Sequence, residues 1–184
     1  MIAFLDQTDT PAGPLAFAVN DDGELVRASF REGDYALTIE QELERDGYQI
    51  DVDPMITSGI RQQIDAYTAG ERVQFSIPVA MQGTEWQQRV WRELMNIPFG
   101  EIRTYGEIAS IVCTPKAARA VGRANATNPI PLIVPCHRVV GADGSLTGFG
   151  GGLHLKTRLL EHEMAVVRHD ANAPAGTQRS FSLT

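Results

Sequence analysis

The chain has 184 residues, 43% apolar and 21% charged, which suits a soluble globular protein able to bury a core without disulfide or metal staples. Its net charge is −7, and its two cysteines, Cys113 and Cys136, exclude a disulfide scaffold and fit a reducing compartment, here the cytoplasm. No apolar run reaches the roughly 18 residues of a membrane span, and the opening MIAFLDQTDTPAG lacks the basic start of a signal peptide.

The charge is unevenly spread. Residues 1–83 carry five arginines, no lysine and 15 acidic residues, a net of −10, whereas residues 84–184 carry 11 basic and eight acidic residues, a net of +3. A polyanion would therefore dock on the second half. The boundary also divides the chain into an acidic α+β support lobe at 1–83, a second domain at 84–165 and a flexible tail at 166–184. No internal repeat is present.

In chain order, LAFAV and ELVRASF read as a hairpin over 15–30, turning on Asn20-Asp21-Asp22-Gly23. Tyr35 to Arg45 reads as a helix stopped by Gly47, YQIDV as a short strand, and Pro54 to Thr68 as a helix with Ile56, Ile60, Ile64 and Tyr67 near helical spacing. RVQFSIPVA at 72–80 alternates like a strand, with Pro78 marking its edge or end. Thr84-x-x-Gln87 is a capping box before an apolar stripe that includes Trp86 and Trp91, read as core residues.

Thr104-x-x-Glu107 opens a short helix through Val112, and Thr114-Pro115 places an N-cap before a third helix, PKAARAVGRANA. Two short helices joined by about three residues outline a helix-turn-helix. The third helix is rich in small residues and carries Lys116, Arg119 and Arg123 as a basic stripe, suited either to a nucleic-acid backbone or to tight packing with solvated arginines. Three prolines from Pro129 to Pro135 then forbid a helix, so an extended segment delivers Cys136. ADG at 142–144 marks a hairpin turn, GFGGG at 148–152 a glycine loop, and HLKTRLLEHE a final helix, with a mobile tail from residue 164.

Cys136 followed by His137 points to a thiolate nucleophile, which at neutral pH needs a base or a nearby cation. His137 and Arg138 are the local sources, and Glu163 or Glu161 could orient the histidine. Neighbouring side chains on a strand face opposite ways, so His137 needs a kinked backbone or a water bridge to serve the sulfur. Cys113 reads as an inert thiol on the apolar face of a short helix. The cysteines and histidines lack zinc-site spacing, so no metal is expected. GFGGG lacks the lysine of a phosphate loop.

The run NPIPLIVPCHRVVG, preceded by TYGEIA and KAARAVG and followed by GGLHLKTRLLEHE, resembles the O6-alkylguanine-DNA alkyltransferase family over about residues 84–163. The resemblance implies an α+β fold in which a ribonuclease-H-like N-terminal α/β lobe packs on a C-terminal helical lobe with a winged-helix-like helix-turn-helix. It implies a DNA repair protein that flips O6-alkylguanine, with O4-alkylthymine as a second candidate, out of duplex DNA. The alkyl group then passes irreversibly to Cys136, in one turnover, without a cofactor, by a protein expected to be monomeric.

The resemblance also implies roles. His137 takes the thiol proton through a bound water, Glu163 holds His137, and Tyr105 protonates the leaving base. Arg119 fills the vacated stack from a helix in the minor groove, alongside Lys116, Arg123, Ala118, Ala120, Gly122 and Thr104. Asn128 ties that helix to the acceptor segment, and Pro131, Val139, Phe149, Gly150 and Gly151 line the pocket with it. The sequence departs from the family pattern at Phe149, where a hydroxylated aromatic is common, at Arg123, where a very small residue is frequent, and at Thr84-Glu85, before Trp86, in place of Pro-Phe. Residues 1–83 contain no Cys or His, so the zinc ligands of some relatives are missing. The rival readings are a binding module that flags alkylated DNA without repairing it, a cysteine hydrolase and a regulatory module.

Overall fold

The expected hairpin forms as β2 (Gly13–Asn20) and β3 (Leu25–Phe30) in a computed structural model of the protein, which describes residues 1–32, 37–71 and 74–172. The Asn20 side chain organises the turn by accepting from the backbone N–H of Asp22 and Glu24 at 3.1 and 2.8 Å. A strand the sequence reading did not assign, β1 (Ile2–Thr10), pairs antiparallel with the whole of β2 and parallel with β4 (Gln49–Asp51), giving the order β3-β2-β1-β4. The pleat sends alternate β2 side chains to opposite faces. Leu15, Phe17 and Val19 enter one core, whereas Ala16 and Ala18 enter a smaller one beneath α1 (Ile39–Arg45).

Helix α1 starts at Ile39, on a capping box of Thr38 and Gln41, later than the expected Tyr35, which lies outside the described residues. Helix α2 (Pro54–Thr68) is capped by Asp53 and buries Ile60, Ile64 and Tyr67. The strand expected over 72–80 does not form in its described part. Only Val79 makes a bridge, to Leu25, through Leu25 N–H to the Pro78 carbonyl and Ala80 N–H to the Leu25 carbonyl. Pro78 has no N–H to extend the ladder.

Both capping boxes of the second lobe are present. They open α3 (Glu85–Leu94) and α4 (Tyr105–Val112). Thr114 does not cap with its side chain as expected. Ala117 N–H bonds to the Thr114 carbonyl at 2.9 Å, closing a one-turn 3-10 helix, Pro115–Ala117, before α5 (Ala118–Ala126). Cys113 is a second correction: α4 ends at Val112, and Cys113 follows it into the turn, exposed.

Two-residue strands β5 (Arg103–Thr104) and β6 (Val139–Val140) pair in parallel, so the turn at 142–144 closes without an antiparallel hairpin around it. The last helix, α6 (Leu153–Asn172), runs well past residue 163, and its continuous backbone hydrogen bonding replaces the tail expected over 164–172. Residues 173–184 lie outside the described set.

The main core is shared. Phe17, Leu25, Phe30 and Ile64 of the first lobe pack with Trp91, Ile108, Val121, Val134 and Leu159 of the second. Among the described residues no helix is long and apolar enough to cross a membrane.

Candidate active site

The segment carrying Cys136 is buried without a break from Pro129 to Val140. Its backbone is bent, not extended as expected. Leu132 adopts φ +77° although it is not glycine, a conformation that persists only where surrounding structure enforces it. Pro135, at φ −80° and ψ 62°, forms an inverse γ-turn in which Cys136 N–H reaches the Val134 carbonyl at 2.7 Å. Cys136, His137 and Arg138 then make one 3-10 turn. That turn supplies the kink required if His137 is to serve the neighbouring sulfur.

Three anchors fix this segment. Ala28 N–H of β3 bonds to the Pro129 carbonyl at 2.9 Å. Asn128 donates to the Val134 carbonyl at 2.8 Å and accepts from Ile130 N–H. Asn125, on α5, lies 3.4 Å from the carbonyls of Cys136 and Gly148 and 3.5 Å from the Tyr105 hydroxyl. Asn125 belongs to the constellation although the sequence reading passed over it; its spacing from Val121, four residues back on the buried face, was the available signal.

Glu163 is fully buried and receives an unusual number of donors. They are His137 Nε2 at 2.8 Å, Arg138 Nε and Nη2 at about 3 Å, the Tyr67 hydroxyl at 2.9 Å and Gly100 N–H at 3.0 Å. Burial alone would raise its pKa, but His137 and Arg138 hold its carboxyl well below the usual carboxylate range. Gly100 must be glycine: its φ is +74°, and a Cβ there would lie 2.6 Å from Val167. Glu161, the alternative partner for His137, is exposed.

An ionised carboxylate has no proton to give, so His137 Nε2 carries the N–H and Nδ1 carries the lone pair. Nδ1 is buried without a hydrogen-bond partner among the described residues. Burial pushes the imidazole pKa down against the pull of Glu163, which keeps the ring neutral and basic at Nδ1. Cys136 is only 4% exposed. Burial pushes its thiol up to about 11, with the Asn128 amide and the Lys156 ammonium pulling the other way. The resting group is thus a thiol next to a neutral base.

Lys156 is another residue the sequence reading missed. It is fully buried on α6, donates to the carbonyls of Val139 and Thr147 at 2.5 and 2.8 Å, and is pushed down to about 8 by burial. Tyr105, the first residue of α4, donates to the same Thr147 carbonyl at 3.0 Å. Burial raises its phenol. Gly148, at φ +57°, would carry a Cβ 3.1 Å from the Tyr105 oxygen, so glycine permits the loop to approach the phenol.

Other expected pocket residues differ in burial. Phe149 is half-buried against Phe30, with ring centroids 6.4 Å apart. Gly151, Pro131 and Val139 are buried, and Gly150 is exposed. No group of three or more His, Cys, Asp or Glu side chains suited to a metal occurs among the described residues.

The basic helix presents a different surface. Lys116, Arg119, Ala120 and Arg123 are exposed, Ala118 and Gly122 half-buried. Two tryptophans of α3 hold α5 by its carbonyls: Trp86 Nε1 donates to Ala120 at 3.3 Å and Trp91 Nε1 to Ala124 at 2.8 Å. Gly122 lies where a Cβ would come 3.8 Å from the Tyr105 ring. Thr104 spends its hydroxyl on the α4 cap and on Glu107.

A profile of the ribonuclease-like domain of 6-O-methylguanine DNA methyltransferase matches residues 5–81, and one of the DNA-binding domain of the same proteins matches residues 85–165. The methylated-DNA–protein-cysteine methyltransferase of Mycobacterium tuberculosis is 47% identical over 155 residues, covering 84% of this chain and 88% of that protein. Its counterpart in Methanosarcina acetivorans is 43% identical over 155 residues, covering 84% and 94%. The crystal structure of Mycobacterium tuberculosis OGT in complex with DNA superposes with a TM-score of 0.77 at 43% identity, covering 89% of this chain and 94% of that one.

Proposed function

The chain belongs to the methylated-DNA–protein-cysteine methyltransferase family, and from that premise we propose that it repairs DNA by moving the alkyl group of O6-alkylguanine onto Sγ of Cys136, once and irreversibly. The observation that carries this reading is the buried thiol beside a neutral histidine whose tautomer Glu163 dictates. Residues 1–83 serve as the support lobe and residues 84–165 as the DNA-binding and acceptor domain. The free cysteines fit the reducing cytoplasm.

The lesion lies inside the duplex, so its nucleotide must turn out into the protein, at a cost of a few kcal/mol. Arg119 occupies the gap it leaves, while Lys116 and Arg123 meet phosphates. His137 Nδ1 then takes the thiol proton through a water. The sulfur lone pair forms the S–C bond as the C–O6 bond breaks, and that electron pair returns to the guanine ring. Tyr105 releases its Thr147 contact and gives its proton to the ring. The proton on His137 later restores the phenol through solvent. The product is a thioether, which, unlike a disulfide, thiol exchange does not open, so Cys113, exposed in the turn after α4, does not reverse it.

The test is stoichiometry. With excess duplex containing O6-methylguanine, restored guanine rises to one per chain and stops. Cys136→Ala restores none yet still binds the damaged duplex. Continued turnover would favour a hydrolytic or catalytic reading. Binding by the wild type without restored guanine would favour a lesion-flagging module.

A further inference from the structure

The proposed reaction is confined to residues of the second lobe, yet the carboxylate at its centre is held from the first. Tyr67 lies on the last turn of α2, 96 residues from Glu163, and its hydroxyl donates to Glu163 Oε1 at 2.9 Å. The same oxygen accepts from His137 Nε2. The phenol is fully buried and locked on three sides. Its ring stacks on Phe75 with centroids 5.4 Å apart, meets Phe99 edge-on at 5.7 Å and faces His162 at 5.2 Å. His162 Nε2 lies 3.0 Å from the Tyr67 carbonyl, which fixes the end of α2 against α6. A structural tyrosine needs only some acceptor for its hydroxyl; this one is aimed at the oxygen that sets the histidine tautomer.

We infer that Tyr67 is a positioning residue for alkyl transfer, through which the N-terminal lobe fixes Glu163 and thereby tunes how strongly His137 holds a proton. The inference rests on the alkyl-transfer reading of the site. The Tyr67 hydroxyl and His137 Nε2 share Oε1 with the Arg138 guanidinium. The Tyr67 hydroxyl draws charge from that oxygen and so weakens its pull on the His137 N–H. Other charged or titratable groups facing the pair are Arg138, which donates to both Glu163 oxygens, His162 beside the Tyr67 ring, and Lys156 and Cys136 beyond His137; the Gly100 N–H completes the shell. All remain when only the Tyr67 hydroxyl is removed.

The experiment is the pH profile of single-turnover alkyl transfer for wild type and Tyr67→Phe, on methylated duplex and on free benzylated guanine, with thermal unfolding measured alongside. His137 must be neutral to act as base, so the acidic limb reports its titration. Loss of the hydroxyl leaves Glu163 pulling harder on His137, and the limb moves to higher pH by about half a unit to one unit. The plateau rate falls by about 10- to 100-fold at most, the loss typical when a group that orients a functional histidine is removed. Both substrates are affected alike.

Replacing Tyr67 by a fluorotyrosine, a stronger donor, moves the limb to lower pH, and this arm decides the matter if Tyr67→Phe fails to fold. Profiles that superimpose on wild type for both replacements, or a loss confined to duplex DNA, would overturn the inference. If wild type itself transfers nothing, the reading of the site fails instead.

Discussion

The acceptor segment and the basic helix lie next to each other and are built on opposite terms. From Pro129 to Val140 every residue is buried, and the buried charges of Arg138 and Glu163 are satisfied inside the protein. On α5 and the turn before it, Lys116, Arg119 and Arg123 are exposed and form no ion pair among the described residues. Chemistry that depends on a proton's location needs groups fixed before substrate arrives. Binding that depends on meeting a polyanion needs cations whose counterions can still be displaced. The two regions meet at Asn125 of the helix, whose amide lies 3.4 Å from the Cys136 carbonyl and 3.5 Å from the Tyr105 hydroxyl.

This contrast is broken most severely at Glu163. Glu163→Gln removes the charge that pairs with Arg138 and the acceptor that fixes His137. A buried ion pair stripped of one partner costs about 3–5 kcal/mol of stability. Transfer falls roughly 100- to 10,000-fold, the usual weight of general base catalysis, and equally for duplex and free base. The folded pKa of Glu163 is depressed, so its stabilisation is present in full above the ordinary carboxylate value of 4.5 and is lost as pH falls below it. The stability gap between wild type and variant is therefore widest at neutral pH and narrows in acid, which denaturant titrations at several pH values check.

Arg119→Ala sharpens the contrast from the other side. A free benzylated guanine pays no unstacking cost and offers no phosphate. Its rate stays near that of wild type, while duplex repair loses about one to two decades, because an inserted side chain offsets a few kcal/mol. Single-turnover rates on both substrates separate the roles. Equal losses would place Arg119 in the fold or the pocket.

The exposed region was the easier one to read from sequence. The basic stripe and both capping boxes are local patterns, spaced by helix geometry alone. The acceptor motif was legible as a resemblance, and the Cys136–His137 pair as chemistry. What stayed hidden depends on contacts distant in sequence. Tyr67 looked like an ordinary apolar-face residue of α2, and nothing near it announces Glu163. Lys156 sits next to Leu155 on α6 and spends its ammonium on two carbonyls far from it in sequence, Val139 and Thr147, which no local pattern announces.

Strand β1 was missed because IAFLDQTDT turns polar after Leu5, and its pairing with β2 and β4 makes it a strand. Over 74–80, the described part of the expected strand, the converse holds, since an alternating pattern there reaches a single bridge, Val79 to Leu25. Cys113 was placed on the buried face of α4, and the end of the helix one residue earlier turned it outward.

The two cysteines offer the most direct test of the whole account. After exposure of the protein to O6-methylguanine duplex, peptide mapping by mass spectrometry locates the transferred group. The account predicts one methyl group per chain, on the peptide holding Cys136, and none on Cys113, although Cys113 is the exposed thiol. A methyl group on Cys113, or an unmodified Cys136 in protein that has restored guanine, would contradict it.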